Sequence, residues 1–281
     1  MLGHSAISAG TFIVAKRALG ELSAFELALL RFTLAAGVYA ALLARSRVRV
    51  AGRDVLRLAV LGLFAIPVNQ GMFLMGLART TSGHGALLYA LAPIFVLILA
   101  RVRLGETVTP LKLAGIVLAF AGVLVVLLPR RATAATGAAA PLVGDLLILA
   151  AVGAYAVFVT EGKPFAERYG PVVSTGLITI AGALLYLPAG LVGSDVRHVA
   201  ALSRTGWLCV AYLVVLASVG SYLMYYWVLA RVEASRVAIW SNLQPVLTAV
   251  MAWAVLGEPL APSFLAGGTL VLAGVVMTQR A

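Results

Sequence analysis

Leu77-Ala78-Arg79 opens a stretch that runs to Val125, and the same stretch returns 152 positions later, from Leu229-Ala230-Arg231 to Met277. The two copies align without a gap. Pro93 meets Pro245, Leu104-Gly105-Glu106 meets Leu256-Gly257-Glu258, Pro110 meets Pro262, and Ala121-Gly122-Val123 meets Ala273-Gly274-Val275. About 18 of 49 aligned positions are identical. Two unrelated helices rich in Leu and Ala would share composition, but they would not bring proline, glutamate and glycine into one register. The chain is therefore read as an internal repeat.

The residues around the repeat define its medium. Of 281 residues, 62% are hydrophobic and 11% are charged. A soluble domain carries about 25% charged residues, and a disordered chain lacks this much apolar surface. Apolar runs occupy 2–18, 25–44, 56–77, 83–102, 111–128, 142–160, 172–192, 206–230, 236–256 and 263–278. A bilayer-spanning helix needs about 20 apolar residues. Barrel strands would be about half as long and would alternate apolar with polar, which these runs do not. The run 2–18 lacks a basic leader and a small-residue cleavage site followed by a polar chain, so it reads as a span rather than a signal peptide.

The expected fold is all-α integral membrane, with ten transmembrane helices. Gly52, Pro110, Pro171 and Pro262 punctuate the joints between runs. Residues 130–141, rich in Ala, Thr and Gly without an apolar period, read as a linker between halves at 1–129 and 142–281. Each half holds five spans. An odd number forces the second half to enter the membrane from the opposite side, giving two inverted-topology five-helix repeats, an arrangement of many secondary transporters.

Net charge is +11, from 21 Lys+Arg against 10 Asp+Glu. Nucleic-acid binding needs a basic face interleaved with aromatics. Here the basic residues sit in the gaps between apolar runs, so no nucleic-acid partner is expected. About 13 of them fall on the side holding both chain ends and about 7 on the other, which points to cytoplasmic N- and C-termini; the membrane expected for such a chain is a bacterial inner (plasma) membrane. Cys209 stands alone and fits no disulfide or metal spacing. The spans hold no acidic cluster for a metal and the chain no phosphate-cradling loop. No cofactor, no metal and no enzymatic activity are expected.

Several short motifs together resemble the drug/metabolite transporter superfamily, in its EamA-like branch. They are Gly10-x-Phe12-x-x-x-Lys16, Leu30-Arg31-Phe32, Pro93 with Leu104-Gly105-Glu106, Gly144-Asp145, Leu243-Gln244-Pro245, Leu256-Gly257-Glu258 and the Gly267/Gly274 helix. The resemblance covers nearly the whole chain. It implies ten spans with both ends cytoplasmic and a central cavity lined mainly by spans one, three, four, six, eight and nine. It also implies transport of small metabolites, often export of amino acids. One position departs from the family: Gln244 stands where a glutamate often precedes the proline of span nine. An amide cannot carry a coupling proton as a carboxylate can, so uniport or exchange is favoured.

Site residues are sought where polar and aromatic groups share a helix face at membrane depth. Span eight puts Ser218, Tyr222 and Tyr225 on one face. The repeat pairs Gln70 with Tyr222 and Phe73 with Tyr225. Span nine puts Trp240, Gln244 and Thr248 on one face. Ser218, Tyr222, Tyr225, Gln70, Phe73, Trp240 and Gln244, with Asn69, Tyr89 and Tyr155, are the candidate substrate-binding set. The plainer alternatives are interfacial anchoring for the tyrosines and Trp240, and helix–helix bonding for Asn69 and Gln244. Lys16 and His84 are candidates for proton coupling, against a snorkelling lysine and a water-facing histidine. Arg31, inside span two, reads as structural as readily as functional. Glu106 and Glu258 read as helix-terminus anions.

The expected function is secondary transport by alternating access, most simply export of amino acids or related amphipathic solutes. The alternative is a flippase for a lipid or lipid-linked sugar. The expected partners are a small-molecule substrate and membrane lipid, with the chain a monomer or weak homodimer.

Overall fold

The computed structural model describes residues 2–104, 109–127, 141–231, 243–257 and 262–280. Among them every regular element is a helix. The long helices are α1 (Leu2–Ala18), α2 (Ala24–Ala44), α3 (Gly52–Arg79), α4 (Ser82–Arg103), α5 (Pro110–Leu127), α6 (Pro141–Tyr169) and α7 (Pro171–Val192). They continue with α8 (Arg204–Leu229), α9 (Leu243–Met251, continuing as Ala252–Leu256) and α10 (Pro262–Arg280). Six of these, α2, α3, α4, α6, α7 and α8, are long and apolar enough to cross a membrane.

The helix starts follow from local chemistry. Prolines 110, 141, 171 and 262 each begin a helix, where their missing N–H costs nothing and their fixed φ already suits the first turn. Ser23 and Glu26 cap α2 reciprocally: Ser23 Oγ accepts from the Glu26 N–H at 3.2 Å and Glu26 Oε2 from the Ser23 N–H at 2.7 Å. Glu26 Oε1 also accepts from the Asp195 N–H at 2.9 Å and lies 2.9 Å from His198 Nδ1, tying this cap to the α7–α8 connection. Glu21, in the α1–α2 turn, accepts from the Ser203 N–H and Oγ. Those two hydrogen bonds hold its carboxyl below the usual carboxylate range.

Two turns require glycine. Gly170 joins α6 to α7 at φ 80°, and Gly257 closes α9 at φ 66°. The second is the glycine of Leu256-Gly257-Glu258, in the helix-ending role its motif suggested. Glu106, Glu258, Trp240 and the 130–140 stretch lie outside the described residues.

Two helices differ from the expected runs. α4 is broken at Ala90 and Leu91, so that Ser82–Tyr89 and Ala92–Leu104 are separate segments. Pro93 has no N–H for the Tyr89 carbonyl, and the helix restarts just ahead of it. α6 runs nine residues past the expected end, to Tyr169. Its charged last turns find partners: Glu161 with Arg103 at 3.1 Å, and Arg168 and Tyr169 with Asp54 at 2.9 and 2.5 Å. Polarity ended the apolar run, but it did not end the helix.

Glycines set the closest helix contacts. α5 packs along α10, α3 against α6 and α7, and α2 against α7. A Cβ on Gly122 would lie 2.7 Å from the Gly267 carbonyl oxygen, and a Cβ on Gly274 would collide with the Gly115 carbonyl. These contacts are reciprocal, because Gly115 and Gly122 match Gly267 and Gly274 in the repeat. Lipid provides little force to press helices together, so close backbone approach supplies the packing. Gly122→Val should therefore destabilise the protein by about 1–3 kcal/mol through overpacking, read as a lower thermal midpoint in detergent. Gly37→Ala, where nothing lies within 4 Å, should leave the midpoint unchanged.

Candidate functional site

α3 and α8 are the helices that build the site, and both depart from regular winding. α3 takes wider, π-type turns over Phe64–Gly71, with Pro67 inside, and α8 does so over Tyr212–Ser221. The two segments overlap under the 152-residue shift. A wide turn shifts the rotation of the residues after it and frees backbone groups, and such turns recur at functional sites. Here they carry Asn69, Gln70, Ser218 and Ser221.

Between α1, α2, α3, α4, α6, α8 and α9 lies a cavity with about 100 Å³ open to water. Its walls include His4, Ser8, Phe12, Arg31, Gln70, Phe73, Tyr89, Tyr155, Phe158, Tyr222, Tyr225 and Gln244. Seven of the expected site residues meet here: Gln70, Phe73, Tyr89, Tyr155, Tyr222, Tyr225 and Gln244. The aromatic rings form a continuous wall. Phe12, Phe73 and Tyr89 stand edge to face, with centroids 5.3–5.8 Å apart. Tyr155 joins Tyr89 to Tyr225 at 6.1 and 6.4 Å, and Phe158 faces Tyr222 at 6.3 Å.

Two expected residues are placed otherwise. Asn69 is 1% exposed and sits behind the wall. Its Nδ2 donates to Tyr89 Oη and to the Ala151 carbonyl, both at 2.7 Å, while its Oδ1 accepts from Gln70 Nε2 at 2.6 Å. Ser218 is fully buried and holds Arg31. Trp240 lies outside the described residues, and Thr248, on the same expected face, donates to the Ala9 carbonyl at 3.3 Å.

Lys16 and His84 stand away from the cavity. Lys16 does not snorkel: its Nζ donates to the Leu77 and Thr80 carbonyls at 2.8 and 2.6 Å, closing the end of α3. Cations are favoured at such a terminus. His84 is not simply water-facing. It stacks on Phe264 at 5.7 Å, with Nδ1 3.8 Å from Asp145, a buried carboxylate that accepts from Thr80 Oγ1 at 2.7 Å.

Sequence reasoning left Arg31, in the most polar part of the cavity, between a structural and a functional reading and did not single out His4, Ser8 or Ser221. Arg31 is 2% exposed. Its Nε donates to Ser218 Oγ at 2.7 Å and its Nη1 to Gln70 Oε1 at 3.1 Å, and its guanidinium carbon lies 4.7 Å from the Phe32 ring centroid. His4 Nδ1 lies 2.7 Å from Ser221 Oγ, which also meets Ser8 Oγ at 3.2 Å. The signals were present. An ionisable residue inside a span is a site candidate by default, and His4, Ser8 and Thr11 share one helical face.

Asn69 is the hub of this wall. Asn69→Leu leaves the Ala151 carbonyl, Tyr89 hydroxyl and Gln70 amide without it, at a cost of about 1–3 kcal/mol per unsatisfied buried group. The expected result is a clearly lower thermal midpoint. A midpoint equal to wild type would contradict this arrangement.

Comparison with known proteins fits this geometry. The model of the EamA-like transporter family matches residues 1–128 and 142–280. An uncharacterized transporter of Archaeoglobus fulgidus is 29% identical over 274 residues, covering 96% of this chain and 93% of its own. A probable terminal-alkyne amino-acid exporter of Streptantibioticus cattleyicolor is 29% identical over 235 residues, covering 83% of this chain and 75% of its own. A solved crystal structure superposes with a TM-score of 0.68 at 22% identity, over 98% of this chain and 94% of the other. That likeness concerns the fold.

Proposed function

The chain belongs to the EamA-like transporter family and is a multi-pass membrane protein, and from that premise we propose that it moves small organic metabolites through the α1–α9 cavity by alternating access. The moving parts are two five-helix repeats of inverted topology, 1–129 and 142–281, joined by 130–141. The observation that carries this reading is the pairing of cavity residues. Gln70 and Phe73 on α3 face the same space as Tyr222 and Tyr225 on α8, their partners in the repeat. A site on the axis relating two inverted halves has this property, because each half supplies one wall. The reciprocal Gly122–Gly267 and Gly274–Gly115 contacts support the same symmetry. So do the bonds from Arg79 Nη1 to the Met75 carbonyl and from Arg231 Nη1 to the Trp227 carbonyl, which are partners in the repeat.

The solutes are amino acids or related amphipathic compounds. An aromatic wall with isolated polar groups suits a small solute with an apolar body, and the Streptantibioticus cattleyicolor relative is named for exporting an amino acid. The basic residues favour cytoplasmic termini in a bacterial inner membrane. The cavity walls carry no Asp or Glu among the described residues, and Gln244 stands on α9. Transport is therefore uniport or exchange, without a carboxylate to carry a proton.

Proteoliposomes offered amino acids, amines and nucleosides test this. Saturable movement of one class is expected, at a rate indifferent to an imposed proton gradient. Tyr222→Ala should raise the half-saturating concentration about three- to tenfold, the worth of one aromatic contact. Failure to move any solute, or transport that stops without the proton gradient, would contradict the proposal.

A further inference from the structure

We propose that Arg31 is the anion-binding group of the cavity and that the transported solute is a monocarboxylate with an apolar or aromatic body. This rests on the transport reading above and adds the chemistry recognised. A guanidinium buried among apolar helices is costly unless an anion or several dipoles answer it. Arg31 has two such answers, Ser218 Oγ and Gln70 Oε1, and both are neutral. The buried acids among the described residues are Glu26, Asp54 and Asp145. Each is engaged elsewhere, with Ser23 and Asp195, with Arg168 and Tyr169, and with Thr80 respectively. Among the described residues the positive charge therefore meets no carboxylate.

Donors remain for a ligand. A guanidinium has five N–H groups. Nε and one on Nη1 are used, while Nη2 donates to no described residue. The free edge, spanning Nη1 and Nη2, is the planar fork that a carboxylate fits with two parallel hydrogen bonds. One fixed cation matches one negative charge. With a carboxylate bound, the pair is neutral and the cavity can close over it. The rest of the solute meets Phe12, Phe73, Phe158 and Tyr222. An amine finds no carboxylate on the walls among the described residues, so the site discriminates against cations.

A charge series with one ring tests this on the wild-type protein. The thermal midpoint in detergent is measured with phenylacetate, phenylacetamide and phenethylamine. Phenylacetate should raise the midpoint by mass action, and the amide and amine should not. Arg31→Gln should weaken phenylacetate about 10- to 100-fold, as expected for loss of charged hydrogen bonds. Arg31→Lys, which keeps the charge and loses the fork, should fall between. The wild-type series is decisive even if a variant fails to fold. Equal stabilisation by all three ligands, stabilisation by the amine alone, or no gain from phenylacetate would overturn the proposal. If proteoliposomes still move metabolites in that event, the transport reading survives and only the role of Arg31 falls.

Discussion

A guanidinium inside a bundle of apolar helices must be surrounded by oriented oxygen, and the centre of this protein is arranged around that requirement. Arg31 leaves α2 and reaches between α3 and α8, which offer Gln70 Oε1 and Ser218 Oγ. Gln70 is oriented in turn by Asn69, and Asn69 by the Ala151 carbonyl and Tyr89. Tyr39, on the same helix as Arg31, donates to the Ser218 carbonyl at 3.2 Å. One charge thus couples α2, α3, α4, α6 and α8. Each link is a neutral dipole, and none of them cancels the charge.

The backbone provides for this in two ways. The wide turns of α3 and α8 put polar residues at the middle of otherwise apolar helices. The proline break in α4 lies next to Tyr89, where the chain turns and the ring enters the cavity. Elsewhere the bundle is tight. α5 and α10 meet through glycines, and none of their described residues lines the cavity.

The all-helical character and most helix ends were legible because their signals are covalent and local. Pro110, Pro141, Pro171 and Pro262 each start a helix, and Gly257 ends one at a positive φ. Self-similarity at 152 residues needs no structure to detect. The site was legible only in part, because helical spacing gives a face but not what that face meets. Gln70 and Asn69 are neighbours, yet one lines the cavity and the other braces it from behind. Ser218 shares a face with Tyr222 but is spent on Arg31. Lys16 was open between proton coupling and snorkelling because the end of α3, where it meets two carbonyls, is distant in sequence. Arg31 read as structural as readily as functional for the same reason: that it meets none of the buried carboxylates among the described residues is a fact of three dimensions.

The central claim is that one cavity, walled by α3 and α8, is reached from both faces of the membrane. The most direct test is thiol accessibility in sealed vesicles of known orientation. Cys209 is replaced by Ala, and Phe73→Cys or Tyr222→Cys supplies a single thiol in the cavity wall. A membrane-impermeant thiol reagent is then applied to one face at a time. The account predicts labelling of each position from either face, slowed by bound solute. Labelling from one face only, or from neither, would contradict it.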